Sequence, residues 1–157
     1  MTSKDVCIHT ISTNINTLVK KLQDGVICLN DKIYWSKQKQ SRFIESLLMR
    51  IPLTDVYLDV SNLNKQIPID GFERLNTLKI FVCGDMVLEG LEFLTELEGV
   101  SYNALCNSYK RVLNDTTIVL HNIEAQTPIG LRKAIARRLT PSRLYRWIDN
   151  TLGATRW

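Results

Sequence analysis

Apolar residues recur at helical spacing from Asn14 to Gln23, with Ile15, Leu18, Val19 and Leu22 on one face. Thr13 or Ser12 is placed to cap that helix, and Gly25 stands where a helix C-terminal glycine belongs. Val26 to Leu29 reads as a short buried strand, and Asn30 to Ile33 as a polar connection. A second helix is predicted over Ser36 to Arg50, its stripe made by Phe43, Ile44, Leu47, Leu48 and Ile51. Arg42, Glu45, Ser46 and Arg50 lie off that stripe, and Pro52 ends the helix by excluding the α region just before it.

Val56 to Val60 is β-rich, Ser61 to Gln66 is a polar turn, and Ile67 to Ile69 leads into Asp70-Gly71. A helix containing Leu75, Leu78 and Val82 opens there. Further on, Met86 to Leu88 suggests a short strand, and Tyr102, Leu105, Cys106, Tyr109, Val112 and Leu113 suggest one amphipathic helix. Thr116 to Ile123 alternates Thr117, Val119, His121 and Ile123 against Ile118, Leu120 and Asn122, the clearest strand signal of the chain. Thr127-Pro128 and Thr140-Pro141 each spell an N-cap with proline at the first helical position. Short strands mixed irregularly with helices make the class α+β, with a small mixed sheet surrounded by helices.

At 157 residues, with 45% apolar and 23% charged side chains, the chain can bury one real core. The division expected is a core over residues 1–125 and a basic helical segment over 126–157, packed on the core or on a partner. No apolar run has the length of a membrane span, and Met1 to Lys20 lacks the pattern of a signal peptide. Cys7, Cys28, Cys83 and Cys106 form no CxxC pair, so neither zinc spacing nor a disulfide framework is implied. Reduced thiols in a cytoplasmic protein are expected.

The net charge of +4 is segregated. Gln126 to Trp157 carries Arg132, Lys133, Arg137, Arg138, Arg143, Arg146 and Arg156 against Asp149 alone. Ile80 to Tyr109 carries Asp85, Glu89, Glu92, Glu96 and Glu98 and no base. Arg132, Lys133 and Arg137 are therefore candidates for nucleic-acid phosphate contacts. The apolar set Leu131, Ile135, Leu139, Leu144, Trp147, Ile148 and Leu152 fits the simpler role of packing on the domain, on a protein partner or in a homodimer.

Familiar catalytic patterns are missing: no Walker loop, GxGxxG, HExxH or GxSxG occurs. Of the two histidines, His9 falls in the terminal segment and His121 reads as a packed strand side chain, so no nucleophile–histidine–acid arrangement can be argued. The segment Asp70-Gly71-Phe72-Glu73-Arg74 is the most informative. Gly71 permits a tight turn, the helix start favours an anion, and Arg74 can pair a phosphate. Asp70 or Glu73 can bind a metal or a water. The same residues also spell a capping box, and Asp70 and Arg74 an i, i+4 ion pair; spacing alone favours those structural roles.

Trp35-Ser36, Gln40 to Leu48, Ile51-Pro52-Leu53, Tyr57-Leu58 and Ile69 to Leu75 occur in one order. That series resembles the N-terminal domain of the GmrSD-type restriction proteins, which have a ParB/sulfiredoxin-like fold. The family pattern joins a tryptophan, an SRLIESLL helix, an IP exit, a YL strand and an IDGQQRL turn, and the resemblance covers roughly Leu18 to Leu139. It implies DNA defence in phage–host conflict: a domain that binds and hydrolyses an NTP, with Mg2+ as a possible companion ion, and senses or nicks DNA. Asp70, Gly71 and Arg74 carry over directly, Asp70 and Arg74 as catalytic positions and Gly71 as a binding position, and Glu73 within the same turn is the third catalytic candidate. Trp35, Arg42, Glu45 and Ser46 match the helix lining the same nucleotide or DNA cleft. The family's two glutamines are Phe72 and Glu73 here, and Asn30-Asp31 stands where the family commonly has Gln-Arg. An added carboxylate repels phosphate, so any hydrolysis or nicking is expected to be weak. Two functions are implied: a degenerate nucleotide-dependent DNA-processing domain, or a non-catalytic interaction protein that regulates or antagonises a restriction system.

Overall fold

The computed structural model describes residues 5–30 and 32–139. In chain order the elements are β1 (Ile8–Asn14), α1 (Ile15–Gln23), α2 (Lys37–Leu48), β2 (Val56–Asp59), β3 (Ile67–Asp70), α3 (Phe72–Val82), α4 (Asn107–Asp115), β4 (Thr117–Ile123) and α5 (Ile129–Leu139). The strands make one mixed sheet in the order β1-β4-β2-β3. β4 pairs antiparallel with β1 and parallel with β2, and β2 pairs antiparallel with β3. The fold is α+β, as the irregular element order predicts.

The sheet's two faces follow from strand alternation. Val56, Leu58, Ile118 and Leu120 enter a core shared with Ile15 and Leu18 of α1, Ile44 and Leu47 of α2, Leu75 and Phe81 of α3, and Leu113 of α4. On the other face, Ile67, Ile69, Ile123 and the partly buried Tyr57 pack against Ile129, Ile135 and Ala136 of α5. Through Leu139, the basic segment is thus a layer of the fold lying on the core. The second basic helix expected from Thr140 lies outside the described residues.

Several local expectations are corrected. The segment holding His9 is a strand, with His9 in register with Asn122, because β4 offers an edge to pair with. Asn14 caps α1, its side chain accepting from the Thr17 N–H at 2.8 Å, because it is the last residue of β1 and directly precedes the helix at Ile15. Val26 to Leu29 and Met86 to Leu88 reduce to single bridges, Ile27 to Gln66 and Val87 to Ser101. The helix expected from Tyr102 breaks into a 3-10 turn at Tyr102–Ala104 and α4, because Leu105 and Cys106 are extended. Glu45, expected off the apolar stripe, is 2% exposed because residues 90–94 cover that flank of α2. No helix among the described residues is long and apolar enough to cross a membrane.

Candidate functional site

Asp70 ends β3 and Arg74 lies in the first turn of α3, joined through Gly71 at φ 89°. Only glycine fits there. A Cβ would stand 2.9 Å from Val56 Cγ2 and 3.0 Å from Arg74 Nη2, in a left-handed conformation other residues resist. Gly71 is itself the N-cap and supplies no side-chain bond, so the capping box spelled by Asp70 and Glu73 is not made. The i, i+4 pair is made: Arg74 Nη2 lies 3.7 Å from Asp70 Oδ2.

The Arg74 guanidinium turns toward the segment before β2. Nη1 donates to the Thr54 carbonyl and hydroxyl, and Nη2 to the Asp55 carbonyl at 3.2 Å. Its side chain is 13% exposed, and burial lowers its pKa against the raising influence of Asp70 and Asp55. Glu73 faces elsewhere. It is 7% exposed and accepts from the backbone N–H groups of Tyr34 (3.0 Å) and Trp35 (3.4 Å), tethering that connection to α3. With both oxygens accepting from partly buried N–H groups, the Glu73 carboxylate acts as a fastener.

The other residues of the expected cleft are engaged away from Arg74. Trp35 packs edge-on to Phe43 at 5.7 Å, with Lys39 Nζ 4.9 Å over its ring. Arg42 Nε donates to the Gly90 carbonyl at 3.2 Å, and Ser46 Oγ to the Arg42 carbonyl at 2.9 Å. Glu45 accepts from Glu92, Phe93 and Leu94, closest at 2.6 Å. Burial raises the Glu45 pKa, but those N–H groups and the Arg42 charge prevail and hold it below the usual carboxylate value. In α5, Arg132 donates to the Thr127 carbonyl and pairs at 3.4 Å with Asp59, which is 1% exposed. Arg132 is therefore placed as an internal counter-ion to Asp59. Lys133 is partly buried, and Arg137 lies exposed on the same helix. No group of three or more His, Cys, Asp or Glu among the described residues is disposed to hold a metal.

What sequence reasoning missed lies beside Arg74. His121 Nε2 is 2.7 Å from Asp55 Oδ2, and Nδ1 is 2.9 Å from Thr10 Oγ1. Tyr57 stacks on the imidazole at 4.6 Å. The carboxylate favours the tautomer protonated at Nε2, which leaves Nδ1 to accept from the Thr10 hydroxyl. Hydroxyl, imidazole and carboxylate thus form a chain across β1, β4 and the entrance to β2. With partners 111 and 66 positions from His121, no spacing motif exists to announce it. No protein-family model, curated protein or solved structure gives a significant match to this chain.

Proposed function

We propose that this chain is a non-catalytic interaction protein of restriction-type DNA defence, one that regulates or antagonises a restriction system through protein contacts. The observation that carries the reading is the inward commitment of Arg74 to Thr54 and Asp55. The resemblance implies a catalytic role for this arginine; here it fastens α3 to the entrance of β2. Glu73 and the buried Phe72 support the same reading, because neither offers phosphate a donor. The defence context rests on the resemblance of Trp35 to Leu75.

The test joins a binding measurement to a restriction assay. ATP or GTP with Mg2+, titrated with and without duplex DNA, should give no saturable signal and no phosphate release. Purified subunits of a GmrSD-type restriction enzyme should co-elute with the chain, and its co-expression should change restriction of modified phage DNA. Hydrolysis stimulated by DNA, with no complex and no change in restriction, overturns the proposal.

A second reading keeps nucleotide or DNA binding at the turn. Asp70, 37% exposed beside Arg74, favours it. Saturable nucleotide binding that is lost in Asp70→Asn would establish it.

A further inference from the structure

A cleft of about 490 Å3 lies between the end of α2 and α4, lined by Arg50, Ser108, Arg111, Val112, Asp115 and Thr116. Arg50 reaches it from a strained backbone. α2 closes in a Schellman motif, the Ile51 N–H donating to the Ser46 carbonyl at 2.9 Å and the Arg50 N–H to the Leu47 carbonyl at 3.0 Å. That closure puts Arg50 at φ 62°, in the left-handed region where glycine is favoured. Every other left-handed position among the described residues is a glycine. The chain thus keeps a side chain where its fold would be more stable without one, and such outliers gather at ligand sites and switches.

Among the described residues, neither the Arg50 nor the Arg111 guanidinium makes a hydrogen bond or an ion pair. Asp115 stands four residues after Arg111 on α4, yet the i, i+4 pair open to them is not made. Two exposed guanidiniums therefore line one cleft with their forks of donors unused. The exposed Ser108 adds a hydroxyl from the first turn of α4, where the helix dipole favours an anion. Two guanidiniums and a hydroxyl match the three terminal oxygens and double charge of a phosphomonoester, whereas one fork already satisfies a carboxylate. Asp115 leaves the lining with one net positive charge, which suits a single phosphate and repels a polyphosphate or a nucleic-acid strand.

We propose that this cleft binds a small hydroxylated phosphomonoester, its phosphate held by Arg50, Arg111 and the Ser108 hydroxyl. Asp115 is then left to accept from a hydroxyl of the ligand body. None of the residues of the Asp70–Arg74 turn lines the cleft, so the site does not depend on the function proposed above.

Glucose 6-phosphate is the probe, followed by calorimetry and by amide shifts of α4 at about 0.15 M salt, where weak surface attraction is screened. Saturable binding is expected, with glucose, inorganic phosphate and duplex DNA each bound at least about tenfold more weakly. Arg50→Gly relieves the left-handed backbone, so its Tm should hold or rise while it binds the ester at least about tenfold more weakly. Arg111→Gln, at an exposed helix position, should fold as the parent does and weaken binding likewise. Absence of saturation up to about 10 mM ester overturns the proposal. So does unchanged affinity in folded Arg50→Gly and Arg111→Gln, or inorganic phosphate or duplex DNA binding as tightly as the ester. A Tm that falls in Arg50→Gly overturns it too, because the side chain would then serve the fold.

Discussion

The imidazole of His121 stands 2.7 Å from the carboxylate of Asp55, joining the middle of a central strand to the residue just before its parallel neighbour. Thr10 completes the contact from the other side at 2.9 Å. His121 therefore ties together three segments that are remote in sequence. In a double-mutant cycle, Asp55→Ala and His121→Ala should each destabilise by about 0.5–1.5 kcal/mol. The double mutant should cost less than their sum. Strict additivity in urea denaturation would mean that the contact contributes nothing.

Arg74 should behave as a structural fastener. Arg74→Ala removes bonds to Thr54 and Asp55 and is expected to cost about 1–3 kcal/mol. Arg74→Lys should recover little, because one ammonium cannot reproduce the fork that reaches both residues. Gly71→Ala should cost more than 1 kcal/mol, with the left-handed φ and the Val56 contact acting together. Thermal and urea melts decide this; a neutral Arg74→Ala would return the guanidinium to a ligand role.

Glu45 gives an acid-sensitive contribution of known sign. Its pKa in the folded chain lies below the ordinary 4.5, so its stabilisation is full above that value and is lost as pH falls through the folded pKa. Glu45→Ala leaves the N–H groups of Glu92, Phe93 and Leu94 without their acceptor and should cost about 3 kcal/mol. Glu45→Gln should cost less and flatten the acid limb of the stability–pH curve. An unchanged acid limb in Glu45→Gln would contradict the role given to this carboxylate.

Asp59 and Arg132 form the buried ion pair between β2 and α5. Among the described residues, Arg132→Ala would leave the Asp59 side chain with only the Ser61 N–H and hydroxyl, and it should cost about 3–5 kcal/mol. Replacing both, as Asp59→Asn with Arg132→Met, should cost less than the single change. Any loss of DNA retention in Arg132→Ala would then track its lower Tm and disappear under conditions where the variant stays folded.

Local pattern determined much of the architecture. α1, α2, α3 and β4 stand within a few residues of their predicted places, because period-3.6 and period-2 apolar spacing decides which face is buried wherever that stripe is continuous. The α+β class followed from their order. At the turn, the glycine requirement at position 71 and the Asp70–Arg74 pair were legible too, being contacts within five residues.

Tertiary structure decided everything that depended on a remote partner. β1 is a strand because β4 supplies its ladder, and its own polar sequence carries no strong strand signal. Glu45, Glu73 and Arg132 look like solvent-facing charges in sequence. Folding brings backbone N–H groups to the two glutamates and Asp59 to Arg132, so the glutamates are buried and Arg132 partly buried, each with a partner. The Thr10–His121–Asp55 chain has the same origin: hydrogen bonds acting over about 3 Å join residues from three segments, and only the sheet order sets which residues meet.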